Sequence, residues 1–196
     1  MSGNAFEDAP RVEPRSRAEW RRWLAKNHAV LTGVWLVYPK KSSGLPGPTY
    51  DEAVEEALCF GWIDSRVRPL DGHRRLQWFS PRRPGSIWSA LNKARVARLS
   101  VAGLMAPAGL VKIEAAKADG SWEILDRVDA LEIPEDLAAA LAAVPGAAES
   151  LAAMAPSVVK PCLYWVLSAK RPQTRAARIA AVVEAAAEGR SPFTPP

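Results

Sequence analysis

The loop from Ser80 to Ser89 carries the strongest chemical signal in the sequence. It reads SPRRPGSIWS and leads into a helix predicted from about Ser86 to Ala102, with Ser86 as its N-cap. Free backbone N–H groups at a helix start, hydroxyls and guanidinium groups are suited to hold a phosphate, sulfate or carboxylate. The sequence therefore predicts an anion site with an aromatic side chain available for stacking. Its predicted residues are Arg82, Arg83, Ser86, Trp88, Ser89 and Asn92. The alternative is that the serine is only a cap, that the arginines pair with protein carboxylates and that the tryptophan is core.

A second polar cluster follows the sequence Cys59-Phe60-Gly61. In a strand that starts near Trp62, the side chains of Trp62, Asp64 and Arg66 lie on one face. Asp64 is the candidate catalytic residue, as a general acid or base beside an arginine clamp. The alternative interpretation is a structural carboxylate that pairs with an arginine.

A third cluster of basic residues lies near the C-terminus. Five basic and no acidic residues occur between Lys160 and Arg178. Pro172 fits the first turn of a new helix, which places Arg171, Arg175 and Arg178 on one stripe. This cluster could complete the pocket of the Ser80–Ser89 loop or pair with the acidic middle of the chain. Its predicted ligand-binding members are Lys170, Arg171 and Arg175.

Motifs for metal, nucleotide or nucleophilic chemistry are absent from the sequence. Its two cysteines and two histidines have no metal-ligand spacing, and it has neither a phosphate-binding loop nor a serine-hydrolase motif. Cys59 lies among apolar residues of a predicted helix and is interpreted as core. We therefore expect no metal and no cofactor, and a binding protein rather than an enzyme.

Capping signals and periodicity predict an α+β first part with N-terminal helices and a small antiparallel β-sheet. S-x-x-E and T-x-x-E capping boxes start two helices. Runs of β-branched and aromatic residues predict strands, two of them joined by a hairpin with an Asp-Gly turn. The predicted helices are Ser16–Asn27 and Thr49 to about Gly61, and the predicted strands are Thr32–Tyr38, Trp62–Val67 and Arg74–Phe79.

A mainly α-helical C-terminal part is predicted beyond Pro107, because Ala- and Leu-rich segments alternate with Gly and Pro. The sequence predicts that the chain divides into five segments. They are a flexible tail over 1–15, an α+β part over 16–120, an extended linker over 121–133, a helical part over 134–189 that packs on the α+β part, and a tail over 190–196. The predicted helices are Ala108–Ala118, Pro134–Ala143, Ala147–Met154, Ser157–Ala169 and Pro172–Glu188.

Composition limits the class of protein. The 196 residues are 48% hydrophobic and 24% charged, which fits a globular chain with a core. No apolar stretch approaches the roughly 20 residues of a membrane span, and the N-terminus shows no export signal, so we expect a cytoplasmic protein without a membrane span. The net charge of +5 includes nine basic and two acidic residues between Gly61 and Arg98, which favours an anionic partner.

Two segments in this order resemble a known family. They are EALCFGWIDS (Glu56–Ser65) and FSPRRPGSIWSALNKARV (Phe79–Val96), followed by SAKRPQTR (Ser168–Arg175). Together they resemble the bacterial YdeI/OmpD-associated, or bacteriocin-protection, family over about 17–189. The resemblance implies a stress-response role in protection against bacteriocins or antimicrobial peptides and an association with a porin. The missing export signal argues against the porin.

Three functions are compatible with these features. The first is a non-catalytic binding protein whose arginine-lined pocket takes an anionic small molecule or an acidic protein surface. The second is a single-stranded nucleic-acid-binding protein, favoured by the basic segments and eight tryptophans. The third is a small-molecule enzyme that uses Asp64 as acid or base with an arginine clamp. The sequence favours the first.

Overall fold

The computed structural model describes residues 9–193, and the chain folds into two compact units. The first unit ends at Ser121 and the second begins at Trp122. An α+β first unit followed by helices confirms the predicted fold class. The first unit contains β1 (Arg11–Val12), α1 (Arg17–Asn27), β2 (Val34–Pro39), α2 (Tyr50–Cys59), β3 (Trp62–Pro69), β4 (Arg74–Pro81), α3 (Ala90–Val101) and α4 (Pro107–Ala118).

The sheet has four strands in the order β1-β2-β4-β3. Strand β4 pairs antiparallel with β2 and β3, whereas β1 pairs parallel with β2, so the sheet is mixed rather than purely antiparallel. The register of the β3–β4 pair shifts between Asp64 and Val67, where β3 holds one extra residue. Asp64 lies opposite Phe79, and Val67 lies opposite Gln77.

Residues 1–8 of the predicted N-terminal tail lie outside the described residues. The tail prediction is wrong at β1, because the N–H of Trp35 donates to the Pro10 carbonyl at 2.9 Å and ties this segment to the sheet. At the other end, the Phe193 ring packs edge-on against Trp165, with ring centroids 5.3 Å apart, and 194–196 lie outside the described residues.

Helices α1 and α2 pack together through a buried indole and a buried charge network. The Nε1–H of Trp20 donates to the Ala53 carbonyl at 3.0 Å. Beside it, the Glu56 carboxylate accepts from Arg17 Nε and Arg21 Nη1, both at 2.6 Å. Glu55 is held by Arg17 at 3.0 Å and by Arg98 of α3 at 2.5 Å. Buried carboxylates need such partners, because an unpaired charge in a core is strongly unfavourable.

Helix α4 approaches the C-terminal end of α2 closely enough to require glycine. A Cβ on Gly109 would lie 2.3 Å from the Cys59 carbonyl oxygen. The Ala106 N–H donates to this same oxygen at 3.1 Å. Gly61, in the turn that follows α2, has φ +73°, and a Cβ there would lie 2.6 Å from Lys112 Cγ of α4. Cys59 is buried in this junction and is a free thiol, as expected.

Helix α3 begins three residues later than predicted. Its N-cap is Ser89, whose hydroxyl accepts from the Asn92 N–H at 3.3 Å, so the prediction of Ser86 as the cap is wrong. The physical reason is that residues before Ser89 are held outside the helix, with the Ile87 carbonyl accepting from the Arg82 guanidinium at 3.1 Å.

The position of this cap gives a stability prediction. We expect Ser89→Ala to lower the free energy of unfolding by about 1 kcal/mol, because it removes the acceptor for a helix N–H group. Ser86→Ala is the matched control and should change stability by less than half of that. Urea unfolding of both variants measures the difference. Equal losses would contradict the assignment of Ser89 as the cap.

The second unit is helical, with a core of its own. The segment 121–133, predicted as an extended linker, contains α5, so that prediction is wrong over 124–129. Buried leucine, valine and alanine side chains from the helices form the core. The helices are α5 (Ile124–Asp129), α6 (Glu135–Ala142), α7 (Ala147–Ala153), α8 (Pro156–Leu167) and α9 (Pro172–Ala187). Packing of this part on the first stays a prediction.

Between residues 9 and 193, no single helix is long and apolar enough to cross a membrane. Only α6 and α7 taken together reach that length and composition, and the chain bends by 120° between these two helices.

Candidate functional site

Arg82 lies where β4 ends and the Pro-rich loop begins. Its backbone N–H donates to the Gly61 carbonyl at 2.9 Å, which joins the loop to the turn after α2. The side chain turns inward, with 3% of the residue's surface exposed. The guanidinium carbon lies 3.5 Å from the ring centroid of Trp88, and Nη1 donates to the Ile87 carbonyl. The loop therefore positions a buried cation against an indole face.

No described carboxylate forms an ion pair with this buried cation. Arg82 Nε is buried and has no hydrogen-bond partner among the described residues. Burial lowers the pKa of Arg82 to about 10, although the negative charge of Asp64 acts in the opposite direction. Arginine is almost always compensated when it is buried. Arg82 is therefore an incompletely paired donor in the interior of the first unit.

A small cavity of about 40 Å³ adjoins Arg82. Ser121, with 2% of its surface exposed, also lines this cavity, and its hydroxyl has no partner among residues 9–193. The Asp119 carboxylate in the wall accepts from the N–H groups of Gly85 and Ser121, each at 2.9 Å. Its other lining residues include Arg83, Ser86, Trp88 and Lys112.

A larger cleft of about 720 Å³ shares part of this lining. Arg82, Arg83, Pro84 and Lys112 border both the cavity and the cleft. The Arg83 and Lys112 side chains have no hydrogen bond or ion pair within the described part of the chain. Trp62, whose Nε1–H donates to the His28 carbonyl at 3.2 Å, also lines the cleft. Three cationic groups thus border a space that is large enough for a small molecule.

Asp64 lies in a different pocket, of about 1,070 Å³. Its Oδ2 accepts from the Tyr50 hydroxyl at 2.8 Å and from Gln77 Nε2 at 3.2 Å. Burial, followed by the hydrogen bond to Asp64, raises the pKa of Tyr50 to about 12. The alternative interpretation, in which Asp64 pairs with an arginine, is wrong, because the described ion pairs include none between Asp64 and Arg66, Arg82 or Arg83. The physical reason is that the Asp64 carboxylate is held by the Tyr50 phenol and the Gln77 amide instead of a guanidinium group.

The other predicted site residues divide into two groups. Ser89 and Asn92 are used structurally, since Ser89 caps α3 and Asn92 Oδ1 accepts from Arg95 Nη1 at 2.9 Å. Arg66 is exposed on β3. Lys170 and Arg171 are exposed in the second unit.

Arg175, in the second unit, forms a bidentate pair with Asp136, with N–O distances of 2.6 and 2.8 Å. This is the predicted alternative, in which the third basic cluster pairs with the acidic middle segment. The pair with Arg175 lowers the pKa of Asp136.

Sequence reasoning missed Tyr50, Gln77, Lys112 and Ser121. A signal was present for Gln77, an amide in an otherwise apolar run of β4, Leu76 to Phe79. The other three residues have polar side chains on helices or at a turn, with no distinctive spacing.

Three observations on the described residues concern metal, thiol and nucleic-acid chemistry. These residues contain no group of three or more His, Cys, Asp and Glu side chains arranged to hold a metal. Burial raises the pKa of Cys59, which disfavours the thiolate. Trp20, Trp35, Trp62 and Trp88 are buried and the other four are half-buried, so no fully exposed indole is available for base stacking.

Two family models match the chain. One is described as a domain of unknown function (DUF8412) and matches residues 12–112. The other is described as bacteriocin-protection, YdeI or OmpD-associated, and matches residues 130–189, a narrower range than the resemblance found in the sequence. No curated protein and no solved structure gives a significant match.

Proposed function

Since this chain belongs to the DUF8412 family through residues 12–112, and residues 130–189 match the model of the bacteriocin-protection, YdeI or OmpD-associated family, we propose that it is a non-catalytic binding protein with a stress or resistance role. Its first unit binds an anionic small molecule at the Arg82 cavity and the adjoining cleft. The protective role is carried over from the family's description. The cytoplasmic location stays part of the proposal.

The buried and incompletely paired guanidinium of Arg82 is the observation that carries this proposal. Transfer of a cation into a protein interior is unfavourable unless an anion or hydrogen bonds compensate it. Here one carbonyl and one indole face compensate Arg82, and Nε is left without an acceptor. A ligand oxygen beside Nε would supply both the missing hydrogen bond and the missing negative charge.

The second unpartnered group, the Ser121 hydroxyl, supports the same ligand chemistry. A hydroxyl and a guanidinium N–H can both donate to an oxyanion, and Lys112 and Arg83 add positive charge. Asp119 adds one negative charge to this lining, and the cationic groups of Arg82, Arg83 and Lys112 outnumber it. The cavity has space for one small group, so a carboxylate or phosphate would enter it while the rest of the ligand occupies the cleft.

A small molecule is favoured over an acidic protein surface. Arg82 has 3% of its surface exposed, and a protein surface does not reach a group at that depth. The cleft of about 720 Å³ lies within the range of small-molecule sites, roughly 300–1,000 Å³.

Thermal unfolding in the presence of inorganic phosphate, sulfate, acidic metabolites and short single-stranded oligonucleotides tests this proposal. A compound that binds only the folded protein raises the midpoint according to RT ln(1 + [L]/Kd). We expect one class of anion to raise the midpoint of the wild type. The Ser121→Ala and Arg82→Lys variants should lose most of this shift. The first removes the hydroxyl donor, and the second replaces the planar guanidinium and its Nε–H by an ammonium group that cannot take the same position.

Arg22→Gln is the matched control, since Arg22 is exposed on α1 and lines neither the cavity nor the cleft. It removes one positive charge and should keep the full shift. Circular dichroism establishes whether each variant is folded. If Arg82→Lys does not fold, the test is made with Ser121→Ala. The proposal is overturned if no anion shifts the wild type, or if the shift survives both Ser121→Ala and Arg82→Lys. A shift produced only by oligonucleotides, and lost at high salt, would support nucleic-acid binding instead.

A further inference from the structure

The pocket around Asp64 is a second concave site, separate from the Arg82 cavity. Its volume is about 1,070 Å³, and it shares no lining residue with the cavity or the cleft. The segment from Tyr38 to Asp51 forms one side, and residues of β3 and β4 form the other. The size suits a small molecule.

Three polar groups of the lining converge in this pocket: Tyr50, Asp64 and Gln77. Tyr50 and Gln77 both donate to Oδ2 of Asp64, whereas Oδ1 accepts no hydrogen bond from any residue between 9 and 193. Gln77 has 4% of its surface exposed, so its amide is held by the sheet. The extra residue in β3 follows Asp64 directly, and such bulges redirect side chains beside functional sites. The carboxylate therefore offers an oriented acceptor.

Aromatic rings accompany this acceptor. The Tyr38 and Tyr50 rings line the pocket with centroids 6.5 Å apart and planes inclined by 40°. Tyrosine presents an apolar ring beside a polar hydroxyl. An oriented carboxylate, a carboxamide and aromatic rings together suit a ligand with several hydroxyls on a partly apolar ring, which is the chemistry of a sugar.

Cationic groups lie on the same wall and rim. Arg75 and Gln77 are two residues apart on β4, so both point to the same face, about 7 Å apart. The Arg75 and Lys41 side chains make no hydrogen bond or ion pair within the described residues. Together with Lys40 they outnumber the carboxylates of Asp51 and Asp64 in the lining, so the pocket favours an anionic group.

We propose that this pocket binds a phosphorylated or carboxylated sugar. The sugar hydroxyls donate to Oδ1 of Asp64 and pair with the Gln77 amide and the Tyr50 hydroxyl. The phosphate or carboxylate lies against Arg75 and Lys41. This site goes beyond the proposed anion cavity, because it recognises hydroxyls and charge together.

Isothermal titration calorimetry of the full chain with glucose 6-phosphate, mannose 6-phosphate, ribose 5-phosphate, glucuronate, glucose and inorganic phosphate tests the inference. We expect at least one sugar phosphate or glucuronate to bind more tightly than both glucose and phosphate. Comparison of the sugar phosphates with glucuronate identifies the preferred acidic group. Tighter binding of either one supports the inference.

Asp64→Asn should weaken this binding by at least about tenfold. The amide oxygen of asparagine is a weaker acceptor than a carboxylate, and its NH₂ group would face a donor in place of an acceptor. Tyr50→Phe should also weaken the binding of the sugar phosphate, by a smaller factor. This variant replaces Asp64→Asn in the test if Asp64→Asn does not fold. Arg75→Gln should reduce the affinity for the sugar phosphate to that for glucose. Arg22→Gln is the charge-matched control and should bind like the wild type.

The inference is overturned if none of these sugars binds at millimolar concentration. It is also overturned if sugar phosphate binding survives both Asp64→Asn and Tyr50→Phe. If that binding is lost in Arg82→Lys, the phosphate occupies the Arg82 cavity instead.

Discussion

Gly109→Ala is expected to lower the free energy of unfolding by about 3 kcal/mol. The new Cβ would lie 2.3 Å from the carbonyl oxygen and 2.8 Å from the carbonyl carbon of Cys59, and both atoms belong to backbone. Relief requires that α4 move away from α2. In an isolated helix the same change would add about 1 kcal/mol of stability, because alanine is a better helix former than glycine. A loss of stability therefore indicates the tertiary contact, whereas a gain would indicate helix propensity alone.

Urea unfolding followed by tryptophan fluorescence measures this loss, since six of the eight tryptophans belong to the first unit. Gly72→Ala is the matched control: a Cβ at Gly72 meets nothing within 4 Å, and its φ is not positive. This variant should be as stable as the wild type or slightly more stable. A Gly109→Ala protein with wild-type stability would contradict the close approach of α4 to α2. Lys112 reaches the anion cavity from α4, so a shift of this helix should also weaken the binding of anions.

Glu56→Gln is expected to lower the free energy of unfolding by about 3 kcal/mol. Both carboxylate oxygens of Glu56 accept from guanidinium groups, one from Arg17 and one from Arg21, at 2.6 Å. An amide would turn an NH₂ donor toward one of these donors. It would also leave Arg21 without a carboxylate partner and Arg17 with Glu55 alone. Removal of one partner of a buried pair costs about 3–5 kcal/mol, and the lower value applies because both arginine side chains are about one-third exposed.

The control for this change is Glu13→Gln. Glu13 pairs with Arg74 at 2.8 Å, but both side chains are partly exposed to solvent, so its loss should cost less than about 1 kcal/mol. Urea midpoints of the two variants give the comparison. Equal effects would contradict the conclusion that the buried network holds α1 against α2.

A helix boundary could be predicted where residues close in sequence determine it. It could not be predicted where contacts between distant parts of the fold determine it. The Thr49 capping box fixes the start of α2, because the hydroxyl of Thr49 and the carboxylate of Glu52 each bond to the other's backbone N–H. Ser86 and Ser89 are equivalent as caps by local sequence. The contacts of Arg82 with Ile87 and Trp88 keep the helix from starting at Ser86, and no local pattern contains them.

The partners at the candidate sites were beyond sequence reasoning for the same reason. Arg82 and Arg83 are adjacent and chemically identical, yet one is buried against an indole and the other is exposed. Asp64 was predicted to pair with arginine, whereas its partners come from α2 and β4, 14 and 13 residues away. Strand β1 was missed because two residues, Arg11 and Val12, carry no periodicity.

Strand β3 closes the sheet on one side, with consequences for how the protein behaves at high concentration. An outer strand with unsatisfied backbone groups is a template for strand addition and intermolecular aggregation. In β3 the bulge after Asp64 interrupts the regular ladder, Arg66 and Arg68 add like charge, and Pro69 has no N–H to donate. Copies of the chain should therefore resist edge-to-edge association, which keeps the pocket beside this strand accessible to a small ligand.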